Sequence, residues 1–314
     1  MDYHKLIKNL TDIGPRYANK EILAAKVIEN WLSSLKIPFI AQPFNTEVPV
    51  CVTADLKADG QKINCIGSTI ISGEIPSGKY LISNFGYSGI CPYNIAYSPV
   101  TDSISVVDHY KVPSVTISRK DVIKIIMSKN VNGVVTVRKT QIDTENILVG
   151  NIENPYNIVF SHFDSIIGRG AVDNAGSVAI MMSCLANNQD LLRTTLFNFS
   201  GNEEIAYDDY KLSGYGFRVF EKQYSSLLKK AKKIIVMDGL GVGVPSFTQN
   251  GLDWVLQVKT LDQIREKVFW LQNDQTPVLQ YFHTLNDNDE IIKDEFLSTA
   301  ENKLKQELAI KLSS

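Results

Sequence analysis

From Asn146 onward, short apolar segments typical of strands alternate with segments of helix length. Alternation of this kind predicts an α/β fold, with a mainly parallel, mixed sheet and helices on both of its faces. The expected strands span residues 157–161, 195–199, 233–237 and 278–282. The expected helices span residues 172–186, 216–230, 261–271 and 290–312.

The first half of the chain contains a segment of different character. Residues 20–36 have the apolar spacing of a helix, and residues 37–45 resemble a strand. From residue 48 to residue 142, short β-type segments follow one another between Gly, Pro and Asn residues, with one helix expected at 120–128. We therefore expect an α/β domain formed by residues 1–47 and 143–314, interrupted by a β-rich insertion at 48–142.

Composition excludes several classes of function. The 314 residues include 32 Lys and Arg against 34 Asp and Glu, a formal charge of -2, which lacks the basic excess of a nucleic-acid binder. The sequence has no signal-peptide pattern at its start and no apolar segment near the ~20 residues of a membrane span. Four cysteines without CxxC spacing indicate reduced thiols and a cytoplasmic protein, although one local disulfide among Cys51, Cys65 and Cys91 is an alternative.

Acidic and histidine residues follow the predicted strands of the second half. In open parallel sheets, ligands bind beyond the carboxyl ends of the strands, so functional side chains are expected at those positions. The positions after the predicted strands hold two of the four histidines of the chain, His162 and His283. They also hold the carboxylates of Asp164, Asp173, Glu203, Glu204 and Asp238. Singly, each has an ordinary explanation, such as a surface histidine, a helix N-cap or a solvated acidic pair. Their repetition at consecutive strand ends predicts a metal site.

The ligand types indicate which metal would bind. Imidazole and carboxylate groups suit zinc, with cobalt or manganese as weaker candidates. A carboxylate shared by two ions would hold them about 3.5–4 Å apart, as in two-metal hydrolases. Such chemistry also needs a carboxylate outside the ligand set as a general base, and the adjacent Glu203 and Glu204 are able to divide these roles.

The blocks FSHFDS, GRGAVDNAGS, NFSGNEE, VMDGLG and YFHTLND, in this order and preceded by an early GPR, resemble metallopeptidase family twenty-eight, the aminopeptidase Y type of zinc exopeptidase. The resemblance covers essentially the whole α/β domain. It implies that His162 and Asp238 bind one zinc ion, that Glu204 and His283 bind the other, and that Asp173 bridges both. It further implies a cis peptide bond between Asp173 and Asn174.

The resemblance also implies roles for two residues that are not ligands. Glu203 would be the general base, and Asp164 would orient His162 from behind. The implied reaction is hydrolysis of the N-terminal peptide bond of short peptides by a metal-activated water. Carboxypeptidase, deacylase and glutaminyl cyclase activities on the same scaffold are alternatives, as is a non-catalytic binding protein of the same fold.

Other features remain open at this point. The insertion loosely resembles a protease-associated domain, best at residues 112–118, and either a lid or a tolerated surface addition is consistent with it. Asp238 and His283 are 45 positions apart, a shorter stretch than the resemblance implies, which leaves the side-chain preference of the enzyme open.

A carboxypeptidase would need a cationic side chain that binds the terminal carboxylate of the substrate, for which Arg169 and Arg218 are candidates. Trp254, Phe269 and Trp270 are candidates for the interface of a homo-oligomer or for internal packing.

Overall fold

The computed structural model describes residues 2–84 and 93–309 and shows a mixed α/β fold. The strands are β1 (Phe39–Ala58), β2 (Gln61–Ile63), β3 (Cys65–Gly67), β4 (Gly73–Ile75), β5 (Leu81–Ser83), β6 (Asn94–Tyr97), β7 (Ser114–Ile117), β8 (Val131–Gly150), β9 (Asn157–His162), β10 (Thr195–Ser200), β11 (Lys233–Met237), β12 (Pro245–Thr248) and β13 (Val268–Asn273). The helices are α1 (Tyr3–Thr11), α2 (Glu21–Ser34), α3 (Val122–Met127), α4 (Gly176–Asn187), α5 (Tyr215–Lys230), α6 (Leu252–Val255), α7 (Leu261–Ile264), α8 (Gln275–Val278) and α9 (Asp294–Leu308).

The described chain divides into two compact units. The first comprises Met1–Thr46, Ile142–Val278 and Asp287–Ser314, and the second comprises Glu47–Gln141 and Leu279–Asn286. Both boundaries near residues 46 and 141 fall inside the long strands β1 and β8, so each of these strands contributes residues to both units. The second unit includes an eight-residue segment, 279–286, far along the chain from the rest of it.

In the first unit the strand order is β12-β13-β11-β9-β10-β8-β1. The pairs β10–β9, β11–β9 and β11–β13 are parallel, whereas β12 and β8 pair in the antiparallel direction with their neighbours β13 and β10. Every residue of β9 and β10 is buried, as expected for central strands covered on both faces. The expectation of a mainly parallel, mixed sheet is confirmed.

Two hydrophobic clusters cover the sheet of the first unit. Val159, Phe197 and Ile235 pack with α1, α2, α4 and α9, whereas their chain neighbours Ile158 and Leu196 pack with α5, α6 and α7. Because successive side chains of a strand point to opposite faces, the clusters lie on opposite sides of the sheet. The core therefore holds the central strands rigidly, and with them the residues at their ends.

The second unit contains a four-stranded sheet of order β3-β7-β6-β5. Strands β5, β6 and β7 are parallel, and β3 pairs with β7 in the antiparallel direction. In addition, β2 pairs with residues 56–58 of β1, and β4 pairs with residues 133–135 of β8. A separate core is formed where these strands meet α3, which includes Ile95, Val115 and Ile125.

Two sequence-based element predictions are wrong. Residues 261–271 form a short helix, a 3-10 turn and then strand β13, because Val268, Phe269 and Trp270 favour extended backbone and pair with β11. Residues 278–282 form the end of α8 and a turn instead of a strand. Pro277 fits the first turn of a helix but removes a backbone donor that a strand would need.

Two further expectations concern thiols and membranes. Cys51, Cys65 and Cys184 carry free thiols, and Cys91 lies outside the described residues. Among the helices in residues 2–84 and 93–309, none combines the length and apolar character that crossing a bilayer requires.

Candidate metal centre

Three adjacent parallel strands bring predicted site residues to one edge of the sheet. His162 ends β9, Glu203 and Glu204 follow β10, and Asp238 follows β11. Since β9 lies between β10 and β11, these side chains converge beyond its carboxyl end. Asp173 reaches the same place from the turn that precedes α4.

His162 lies at the centre of this group. Its Nε2 atom is 3.2 Å from a carboxylate oxygen of Asp173, 3.7 Å from one of Asp238 and 4.0 Å from one of Glu203. His162, Asp173 and Asp238 offer ligand atoms that all lie within 4.8 Å of one another. Ligands of a tetrahedral zinc ion, at about 2.0–2.2 Å from it, are about 3.3–3.6 Å apart, so the spacing and the donor types of this triad fit zinc.

Asp164 connects the histidine with both glutamates. One of its oxygens lies 3.3 Å from His162 Nδ1, on the side of the ring opposite the cluster. The same carboxylate accepts the backbone N–H groups of Glu203, at 3.1 Å, and Glu204, at 2.9 Å. A carboxylate behind a histidine directs the other ring nitrogen forward as a ligand. Asp164 therefore lies where a carboxylate that orients His162 would lie.

Asp173 is held in a buried turn over residues 171–175. Its peptide bond to Asn174 is cis, as the resemblance implies. Asn174 donates from Nδ2 to the backbone oxygen of Met237 at 3.0 Å, which ties this turn to the end of β11. Asp173 and Glu204 offer ligand atoms within 4.8 Å of one another, so Asp173 lies close to ligand candidates on both sides.

The pKa values of this cluster reflect burial and crowded charge. Burial lowers the pKa of His162, but hydrogen bonding to Asp164, Asp173 and Asp238 outweighs this effect and raises it well above the ordinary range. Burial raises the pKa of Glu203 well above its ordinary value; the nearby carboxylates add to the shift and His162 opposes it. Without a cation the cluster therefore retains protons that a bound metal ion would displace.

His283 belongs to segment 279–286 of the second unit. It lies in a turn with φ 51°, and not directly after a strand as the sequence analysis assumes. Its Nδ1 atom is 2.7 Å from the backbone oxygen of Val106, which belongs to the same unit. Because that oxygen only accepts, Nδ1 is the donor of this hydrogen bond, and Nε2 is the ring nitrogen that a metal ion would use.

Sequence reasoning missed three buried charged residues of the first unit. Arg16, Glu21 and Asp287 are each at most 1% exposed. Arg16 and Asp287 bond to the backbone between His162 and Asp173, and Glu21 accepts a hydrogen bond from Thr144. Arg16 and Asp287 fall inside blocks that carry the resemblance, but their burial has no signal in the sequence, where a charged residue is by default exposed.

The arginines considered as carboxylate clamps have internal partners. Arg218 is 7% exposed and donates to Asp208 and to the backbone oxygens of Ser213, Gln257 and Lys211. Arg169 pairs with Asp289 at 3.3 Å. Of the tryptophans, Trp270 is buried and donates to the backbone oxygen of Asp238 at 3.1 Å, whereas Trp254 is 77% exposed.

Histidine and carboxylate groups at the ends of adjacent parallel strands form a donor set that suits a divalent metal ion. Residues 146–294, which include all seven predicted site residues, match the model of Peptidase family M28. The match covers slightly less than half of the 314 residues, so it shows a similarity of this segment to that family. No curated protein sequence matches the chain.

Solved structures of similar fold span nearly the whole chain. BSAP, a zinc aminopeptidase from Bacillus subtilis, is 16% identical with a TM-score of 0.71, over 99% of this chain and 95% of its own. A Peptidase M28 precursor from Shewanella amazonensis SB2B is 15% identical with a TM-score of 0.74, over 98% and 92%. Glutaminyl cyclase from Porphyromonas gingivalis is 12% identical with a TM-score of 0.54, over 98% and 96%. At such identities the likeness establishes the fold.

Proposed function

We propose that the chain is a zinc aminopeptidase that binds two ions and hydrolyses the N-terminal peptide bond of short peptides. The observation that carries this proposal is the triad of the buried His162 and Asp173 with the partly exposed Asp238, and Glu203 lies 4.0 Å from the histidine. His162 and Asp238 would hold one ion, Glu204 and His283 the other, and Asp173 both. The Nδ1–H of His283 is bonded to the backbone oxygen of Val106, so Nε2 is the ring atom that would act as the ligand.

The residues of the chain have separate tasks in this reaction. Bound zinc would supply Lewis acidity toward the substrate carbonyl and lower the pKa of a water molecule. Glu203 accepts a proton from the attacking water and returns it to the departing amine. Asp164 holds the ring of His162 and the backbone of Glu203 in a fixed relation, which keeps ligand and base aligned during the transfer.

Charge supports an aminopeptidase over a carboxypeptidase. Six carboxylates, those of Asp164, Asp173, Glu203, Glu204, Asp238 and Asp287, would face the four positive charges of two zinc ions and the single charge of Arg16. The remaining negative charge favours a cationic α-amino group over an anionic terminal carboxylate. The internal bonding of Arg218 supports the same choice, because a guanidinium with four protein acceptors is not available to a substrate carboxylate.

Metal content and substrate polarity test the proposal together. The purified protein is analysed for zinc and assayed on matched pairs of aminoacyl amides, one member with a free amine and the other N-acetylated. We expect about two zinc equivalents and cleavage of the free-amine member alone. Cleavage of substrates with a free C-terminus instead would indicate a carboxypeptidase. Absence of zinc after reconstitution would contradict any metal-dependent reaction.

The likeness to a glutaminyl cyclase supports one second candidate. Such a protein would release ammonia from peptides that begin with glutamine, without cleaving a peptide bond. Adding peptides with N-terminal glutamine to the assay separates the two activities, since mass spectrometry distinguishes a cyclised product from a shortened one.

A further inference from the structure

The segment 163–173 of the first unit begins directly after the ligand candidate His162 and ends at the ligand candidate Asp173. This segment contains no helix or strand before residue 171, so the usual backbone ladders do not hold it. Two buried charged side chains bond to its backbone instead. They are Arg16, from the loop before α2, and Asp287, from the loop before α9.

Arg16 bonds to both ends of this segment. Its guanidinium donates to the backbone oxygens of Phe163, Arg169 and Gly170, the last at 2.9 Å. Its own backbone exchanges two hydrogen bonds with Ser165, from Arg16 N to Ser165 Oγ at 3.1 Å and from Ser165 N to Arg16 O at 3.2 Å. A planar guanidinium spreads its donors over three nitrogens and reaches three separate acceptors, whereas the three donors of an ammonium group all start from one nitrogen.

Asp287 accepts hydrogen bonds from backbone N–H groups of this segment, whereas Arg16 donates to its backbone oxygens. Its Oδ1 accepts the N–H groups of Ala171, at 2.9 Å, and Val172, at 2.7 Å, and its Oδ2 accepts that of Asp173 at 3.1 Å. Its backbone oxygen accepts the N–H of Arg169 at 3.1 Å. The two side chains together make six hydrogen bonds to this one segment.

We propose that Arg16 and Asp287 are positioning residues that hold the 163–173 segment in its ligand-ready conformation before metal binds. This inference rests on the proposed metal site. The buried cation of Arg16 also lies near the carboxylates of Asp287, Asp164 and Asp173, where it offsets negative charge that crowds the metal-free site. An apolar side chain in either position would fill space but leave three backbone groups without partners.

The test uses Arg16→Lys and Asp287→Asn in the full-length chain. Lysine keeps the positive charge of Arg16 but lacks the three separate donor nitrogens of the guanidinium. Asparagine keeps the shape of Asp287 but places an N–H donor against the N–H of Asp173, so that hydrogen bond is lost. The exposed pair Arg193→Lys and Asp190→Asn are the matched controls. Two quantities are measured: zinc affinity, by competition with a chromophoric chelator, and hydrogen exchange at residues 171–173 in the metal-free protein.

We expect zinc affinity to fall about ten- to hundredfold in both site variants, as for other residues that orient ligands from behind, and exchange at residues 171–173 to accelerate. The controls should match the wild type. In Arg16→Ala, added guanidinium ion should restore part of the affinity, which a general loss of stability would not allow.

Three outcomes would overturn the inference. The first is a zinc affinity and a hydrogen-exchange rate at residues 171–173 that equal those of the wild type in both site variants. The second is that circular dichroism shows both variants to be unfolded, which would make the role of Arg16 and Asp287 purely structural. Both leave the proposed function standing as long as the wild type binds zinc. A wild-type chain that binds no zinc overturns the proposed function itself, and this inference with it.

Discussion

Asp164 contacts three residues of the proposed centre through a single carboxylate. It lies 3.3 Å from the ring of His162 and accepts the backbone N–H groups of Glu203 and Glu204. The residue that would orient the proposed ligand His162 thus also fixes the backbone of Glu203, the proposed general base. Because the sequence separates these residues by about forty positions, only the parallel pairing of β9 with β10 brings them together.

The variant Glu203→Gln tests whether Glu203 takes part in proton transfer without taking part in zinc binding. Glutamine keeps the shape and the backbone bond to Asp164 but cannot accept a proton from water, so kcat should fall by about 10²–10⁴-fold. The zinc content should stay at the wild-type value, because Glu203 is outside the proposed ligand set. Metal analysis and steady-state kinetics on the same preparation measure both quantities. An unchanged kcat would remove Glu203 from the proton transfer.

Glu21 is a buried acid at the start of α2. Burial raises its pKa well above 4.5, and Asp164 adds to this shift, while the hydrogen bond from Thr144 opposes it. An acid whose pKa is higher in the folded state binds more protons folded than unfolded. Its contribution to stability is therefore lost as the pH rises from its ordinary pKa through the raised value.

Glu21→Gln should remove this pH dependence. Glutamine stays neutral and still accepts from Thr144, so the variant should gain Tm relative to the wild type at pH 8 and differ little from it at pH 5. Thermal unfolding of the metal-free proteins at both pH values measures the change, with the exposed Glu295→Gln as a control. An equal Tm difference at the two pH values would show that Glu21 does not titrate in the folded protein.

Residues such as Arg16, Glu21 and Asp287 mark the limit of sequence reasoning at this scale. The predicted metal-site residues were accessible to it because imidazole and carboxylate groups recur after strands that are recognisable from apolar runs. A buried charge, in contrast, is defined by the partners around it. The partners of Arg16 are backbone oxygens about 150 positions further along the chain. Every residue has such an oxygen, so the sequence of side chains does not reveal them.

At the scale of elements, segment 279–286 pairs with residues 105–106 inside the second unit. Ser105 donates from Oγ to the backbone oxygen of Phe282 at 2.9 Å, and Val106 N donates to the oxygen of His283 at 3.1 Å. A bridge between Ser105 and Thr284 continues this contact. Residues of the predicted insertion therefore hold the backbone and the ring tautomer of His283.

Ser105→Ala tests whether this pairing matters for the ion that His283 would bind. Loss of the bond to Phe282 loosens the turn, so one of two zinc ions should bind about tenfold more weakly while the other is unaffected. Isothermal titration calorimetry on metal-free protein resolves the two events. Ser103→Ala, two residues away, is the control. Equal weakening of both ions, or of neither, would contradict this account.

Strands and helices were predictable where one signal dominated. Residues 233–237 and the start of β9 were predicted at their observed positions because apolar runs are flanked by polar residues. The prediction was wrong at 261–271 and at 278–282, where the residue pattern is compatible with either a helix or a strand. In such segments the contacts with the rest of the fold determine which of the two forms. Helix α4 begins at Gly176, later than predicted, because residues 171–175 form the turn that positions Asp173.

At the scale of the whole molecule, the proposed zinc binding would be coupled to folding through protons. In the metal-free protein, burial raises the pKa of Asp287 to about 7 and that of Glu203 well above its ordinary value, and His162 is also raised. Each of these groups binds more protons folded than unfolded. The free energy of unfolding therefore decreases as the pH rises from 6 to 8. His109, whose pKa burial lowers to about 3, is neutral through most of this range and opposes the trend only below about pH 6.5.

Zinc should reverse this trend. The ion binds deprotonated ligands, so its affinity for the folded state grows as the protons of His162 and its neighbours leave, and ligand binding stabilises by mass action. We expect the Tm of the metal-free protein to fall from pH 6 to pH 8 and the rise in Tm on adding zinc to be larger at pH 8. Differential scanning calorimetry measures both, with calcium at the same concentration as the control. A zinc-induced shift that is equal at the two pH values would mean that no proton leaves the His162 cluster when the metal binds, and the carboxylates and histidines at the strand ends would then not be its ligands.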